Sequence, residues 1–116
     1  MLGEVEFSIA TKAGRDGTTV VAVSGELDMY RAPAFTEALD AASGTTVVVD
    51  LQDVTFLDST PLGLLIKKHR RLREEGADLI VLVGERTPTT VFEITGVDQI
   101  LTLQTIEART ARAAEG

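Results

Sequence analysis

The apolar positions of this chain switch repeatedly between the two-residue spacing of strands and the three-to-four-residue spacing of helices. Residues 7–11 alternate weakly and residues 18–24 are rich in valine, with Gly14, Arg15, Asp16 and Gly17 between them as turn residues. This predicts an antiparallel hairpin. After Gly25-Glu26-Leu27-Asp28, a helix is expected over about 32–42, with Pro33 near its start, Phe35 and Leu39 on one face, and Ser43-Gly44 ending it. Residues 46–51 form a short β-branched apolar run, of which 46–50 read as a buried strand, and 54–57 form a second such run. Leu62, Leu65, Ile66, His69 and Leu72 then recur at helical spacing, in a central helix over 60–75 that stops at Gly76. Residues 79–83 are an apolar run of the kind found in strands covered on both faces. Thr87-Pro88 opens a short helix in which Val91, Phe92 and Ile94 supply apolar contacts and which Gly96 closes. Residues 100–103 suggest a last short strand, and 105–116, rich in alanine and charge, a surface helix docked through Ile106.

Strands separated by helices of about 10–15 residues imply parallel pairing through right-handed crossovers, with the hairpin adding an antiparallel edge. The expected fold is α/β, one domain over residues 1–116. It has a mixed, mostly parallel sheet of four to five strands and about four to five helices. Sites in such open sheets form beyond the carboxyl ends of the parallel strands.

Asp58-Ser59-Thr60-Pro61 lies at such an end, at a strand-to-helix turn. Thr60 suits the helix cap and Pro61 the first helical position, where a missing N–H has no intrahelical partner. A helix N-terminus carries roughly half a positive charge, so a phosphate on Ser59 would meet partial compensation there. The same three polar residues also fit a plain cap and turn, and the local sequence leaves both readings open.

Composition narrows the chemistry. A 116-residue chain fills one core rather than two. No apolar run approaches the roughly 20 residues of a membrane span, and no secretory signal is visible, so a cytoplasmic protein without membrane contact is expected. The absence of cysteine removes thiolate metal sites and cysteine nucleophiles, and a single histidine limits other metal chemistry. No metal or cofactor is expected. A net charge of −7 repels phosphate backbones and argues against direct nucleic-acid binding. Against that background Lys67, Lys68, Arg70, Arg71 and Arg73 gather on the central helix, where they read as a solvated outer face in preference to a phosphate-binding patch.

Three stretches together resemble the STAS domain family, and most closely its bacterial anti-sigma factor antagonists. Residues 20–28, ending Gly25-Glu26-Leu27-Asp28, are similar to the family's second strand and corner. Residues 47–51 and 54–60, followed by Leu62-Gly63, are similar to its central strand, switch loop and helix start. Residues 91–98 are similar to its late helix and turn. The resemblance implies that Ser59 is phosphorylated by an anti-sigma factor that is itself a serine kinase, and restored by a separate phosphatase. The unphosphorylated form would bind the anti-sigma factor and free its sigma factor. Asp28, Asp58, Ser59, Thr60 and Pro61 are then expected at the partner surface, with Thr60 as a second candidate acceptor, in a monomer or weak dimer. The family usually has glycine where this chain has Pro61, which removes an N–H that could meet the phosphate. The amides of Leu62 and Gly63 are expected to remain available.

Other readings fit less well. Ser59 as a nucleophile would need His69 as its base, but ten residues of helix is about 15 Å, far beyond hydrogen-bond reach. His69 instead falls on the apolar stripe, as a partly buried histidine with a local hydrogen bond. The chain is therefore read as not an enzyme. A receiver-type phosphoacceptor at Asp50, Asp53 or Asp58 lacks a matching acidic pair and lysine; Asp50 and Asp53 are expected to end a strand and make a turn. No phosphate-binding G-x-x-x-x-G-K-[ST] loop is present. The remaining alternative is a constitutive STAS interaction scaffold without phosphorylation.

Overall fold

In the computed structural model of the chain, which describes residues 6–106, five strands form one mixed sheet in the order β1-β2-β3-β4-β5. The antiparallel hairpin is β1 (Ser8–Ala13) and β2 (Thr18–Leu27); in its turn the Gly14 amide donates to the Thr18 carbonyl and the Thr18 amide to the Arg15 carbonyl. From β2 onward neighbours are parallel, through β3 (Thr46–Leu57), β4 (Asp78–Val83) and β5 (Thr102–Thr105). Parallel neighbours require crossovers. These are α1 (Ala32–Ala41), α2 (Ser59–Glu74) and α3 (Thr90–Thr95), with one-turn 3-10 segments at Met29–Arg31 and Val97–Gln99. Strand order follows chain order, so right-handed crossovers put all three helices on one face of the sheet. There α1 packs on α2, and α2 on α3.

The core lies between that face and the helices. Val21, Val49 and Val81 pair across β2, β3 and β4 and are fully buried, under Phe35 and Leu39 of α1, Leu62, Leu65 and Leu72 of α2, and Phe92 of α3. The alternate row, Val20, Val48 and Ile80, is half-buried. The apolar run of β4 is thus enclosed on the helix side and only partly covered on the other.

Several expectations change. The runs 46–51 and 54–57 are one continuous strand, and Asp50 and Asp53 lie inside it. Asp50 does not end the strand; its Oδ1 accepts the Gln52 amide at 3.0 Å, beside a register shift in the β2/β3 pairing. A second shift falls at Gly25, whose φ is +86°. A Cβ at Gly25 would lie 2.8 Å from the Phe7 backbone, so only glycine lets the chain before β1 run this close. Ile94 is exposed rather than a core contact, and Phe92 fills that place. Thr87 is buried, its hydroxyl donating to the Leu51 carbonyl at 2.7 Å and accepting the Gly84 amide at 2.9 Å. The short helix accordingly starts later, at Thr90. Lys68 is not on a solvated face but buried, with Nζ donating to the Ala42 carbonyl at 2.8 Å. The surface helix expected over 105–116 lies mostly outside the described residues.

Candidate functional site

The site forms where β2 and β3 end side by side. Leu27 and Leu57 are register partners, so Asp28 and Asp58 follow them at equivalent positions on adjacent parallel strands. Each aspartate leaves its strand with extended backbone and caps the segment that follows. The Asp28 Oδ1 accepts from the amides of Tyr30 at 3.0 Å and Arg31 at 3.3 Å. The Asp58 Oδ1 accepts from Thr60 at 3.0 Å, while its Oδ2 accepts from the Met29 amide at 3.0 Å. Asp58 therefore caps α2 and fastens it to the neighbouring corner. Arg31, in that corner, stacks its guanidinium over the Phe7 ring, 4.5 Å from the centroid.

This arrangement corrects the assignment of the cap. Thr60 is the second helical residue, exposed, with its hydroxyl left off the backbone; Asp58 performs the capping. The helix starts one residue earlier than the pattern suggests, so Pro61 is its third residue. Pro61, expected at the partner surface, is buried in the unbound chain. With that start, the Leu62 and Gly63 amides bond back to carbonyls at positions 58 and 59 in the helical ladder. They are not free for a phosphate, contrary to expectation. Thr60 gives its N–H to Asp58 and Pro61 has none, which among the described residues leaves the amide of Ser59 itself as the open donor in the first turn.

Ser59 is the first residue of α2 and is exposed, with Asp28 and Asp58 half-buried behind it. Around it Met29 and Tyr30 stand out into solvent, Tyr30 at 83 % exposure, and Phe56 is 47 % exposed. The pattern of the sequence did not single out these three; Met29 and Tyr30 follow the end of β2 and Phe56 lies near the end of β3, where exposed apolar residues carry no periodic signal. His69 is half-buried further along α2, and its Nδ1 is enclosed without a hydrogen-bond partner among the described residues. It lacks the local bond expected of it and is remote from Ser59. No cluster of three or more metal-ligating side chains occurs among the described residues. No helix there is long and apolar enough to cross a membrane.

The family model of the STAS domain matches residues 10–113. The chain belongs to the STAS domain family. Among relatives of this STAS domain, the anti-sigma-B factor antagonist of Listeria monocytogenes is 33% identical over 88 residues, covering 73% of this chain and 77% of that protein. The anti-sigma-B factor antagonist of Bacillus subtilis is 31% identical over 83 residues, covering 70% and 76%. Among solved structures, an anti-sigma factor antagonist from Mycobacterium paratuberculosis superposes with a TM-score of 0.77 at 30% identity, over 94% of this chain and 93% of that one. The STAS domain described here is thus grouped with anti-sigma factor antagonists by sequence and by fold.

Proposed function

We propose that this STAS domain acts as a cytoplasmic anti-sigma factor antagonist, which holds an anti-sigma factor through the β2/β3/α2 corner and releases it when Ser59 is phosphorylated. The observation that carries the reading is the exposed Ser59 hydroxyl on the first residue of a helix, beside two aspartates already engaged with backbone amides. The names of its relatives support the partner class.

The physics of the switch follows from what surrounds the serine. A phosphoserine brings about −1.5 to −2 charges and three acceptor oxygens. At position 59 the first turn offers it one open amide, and the Asp58 carboxylate stands next to it. The phosphoryl group gains little from its own chain and projects its charge and bulk outward. A partner seated on Ser59, Thr60 and the Asp28 corner would meet repulsion and the desolvation of a dianion, with no rearrangement of the antagonist. Met29 and Tyr30 give that surface an apolar contact beside the switch. A serine kinase, the anti-sigma factor itself, adds the group and a phosphatase removes it.

A second reading is favoured by Pro61. The helix start provides no cradle of amides for a phosphate, which suits a constitutive binding module that is never phosphorylated. Incubation with a panel of recombinant kinase-type anti-sigma factors and ATP, followed by mass spectrometry, separates the two. The switch requires a single phosphoryl group on Ser59, none on Ser59→Ala, and loss of complex formation in Ser59→Glu. Complexes that form equally with wild type and Ser59→Glu, without labelling, would establish the constitutive module instead.

A further inference from the structure

We propose that the cleft between α1 and α2 binds a small phosphorylated molecule through Lys67, Lys68 and Arg71. The cleft has a volume of about 120 Å³ and runs where the two helices pack. It is roomy enough for an anion of phosphoryl size. Its walls carry Leu39 and Leu64, the Thr36 hydroxyl, the three cations, and one carboxylate, Asp40. On α2, Arg71 lies four residues after Lys67 and three after Lys68, so its side chain neighbours both on the helix surface. Lys68 lies nine residues after Ser59, about 14 Å along the helix, and the cleft is separate from the switch.

Lys68 is the decisive residue. It is nine-tenths buried and its ammonium donates to the Ala42 carbonyl at 2.8 Å. An ammonium has three donors, and a neutral carbonyl satisfies one of them without neutralising the charge. Burying a cation that way is expensive unless a counter-charge is supplied. Among the described residues no carboxylate pairs with Lys67, Lys68 or Arg71, although the chain as a whole carries −7. Three cations and one carboxylate leave the cleft with two positive charges, which matches the −1.5 to −2 of a single phosphomonoester. A polyphosphate would overfill it and crowd Asp40. Arg71 offers a planar fork for two phosphoryl oxygens, Lys67 and Lys68 act as point charges, and Leu39 and Leu64 face whatever carbon skeleton is attached.

The plainer account is that Lys68 only satisfies a carbonyl at the end of α1 while Lys67 and Arg71 are solvated. Isothermal titration of the whole chain with inorganic phosphate and with glycerol 1-phosphate, each against sodium chloride at matched ionic strength, decides between them. The site requires saturable binding in or below the low-millimolar range, unchanged in Ser59→Ala. It also requires a loss of about tenfold or more in the double variant Lys67→Ala/Arg71→Ala, whose melting temperature stays at the wild-type value. Tighter binding of the ester would assign the ligand as an organic phosphate that uses the leucine walls; equal binding would assign free phosphate. Lys68→Met should abolish binding. Absence of saturation up to about 10 mM, equal heats from chloride, or unaltered binding in the double variant would overturn the proposal.

Discussion

The two ends of α2 carry opposite charge and treat it in opposite ways. At the N-terminal end, Asp28 and Asp58 accept four amide contacts, from Tyr30, Arg31, Thr60 and Met29, and the group left free is a neutral hydroxyl. Toward the C-terminal end, five of the chain's eleven basic residues fall within seven positions, and one of them is buried against a carbonyl. Both placements suit the helix macrodipole. The difference is in the partners: the carboxylates are fixed by amides in a corner that keeps a serine in view, whereas the buried ammonium of Lys68 has a neutral carbonyl as its partner.

That contrast can be broken at several points. The largest effect is expected from Gly25→Ala, which combines a positive φ with a 2.8 Å approach to the Phe7 backbone. It should lower the unfolding free energy by about 2–4 kcal/mol in urea titrations. Asp58→Ala removes the cap of α2 and the bond to the Met29 amide together, and should cost about 2 kcal/mol by the same measurement. Lys68→Met keeps the packed stem and strips the charge from the Ala42 carbonyl; a loss of about 1 kcal/mol is expected. Thr60→Ala should change stability by less than about 0.5 kcal/mol, because Asp58 and not Thr60 is the cap. A loss at Thr60 as large as at Asp58 would reverse the assignment of the two residues.

The alternation of elements was legible because hydrophobic spacing fixes strand and helix independently of partners. The exposure of Ser59 was legible too, since strand-to-helix turns in open sheets face solvent. The cap was not, for a local reason: Asp58, Ser59 and Thr60 are all favourable cap residues in consecutive positions, and pattern alone cannot choose among them. Long-range contacts hid the rest. The bond from Met29 to Asp58 spans 29 positions and exists only through the parallel register of β2 and β3. Aspartate is depleted in strands, so Asp50 and Asp53 read as a break in what is one twelve-residue strand. A charged residue in a basic run reads as solvated, and nothing short of the α1/α2 packing reveals that Lys68 points inward.

The bond between the Asp58 carboxylate and the Met29 amide makes two successive loops a single panel. Tyr30 and Ser59, far apart in the chain, are carried by the same braced frame. Under the proposed function, a partner docking on this corner would find it already ordered, the conformational entropy of assembling it having been lost during folding rather than at encounter. If Ser59 is phosphorylated as proposed, discrimination between the two forms would depend on one side chain against a fixed background, so that a small chemical change would give a sharp response.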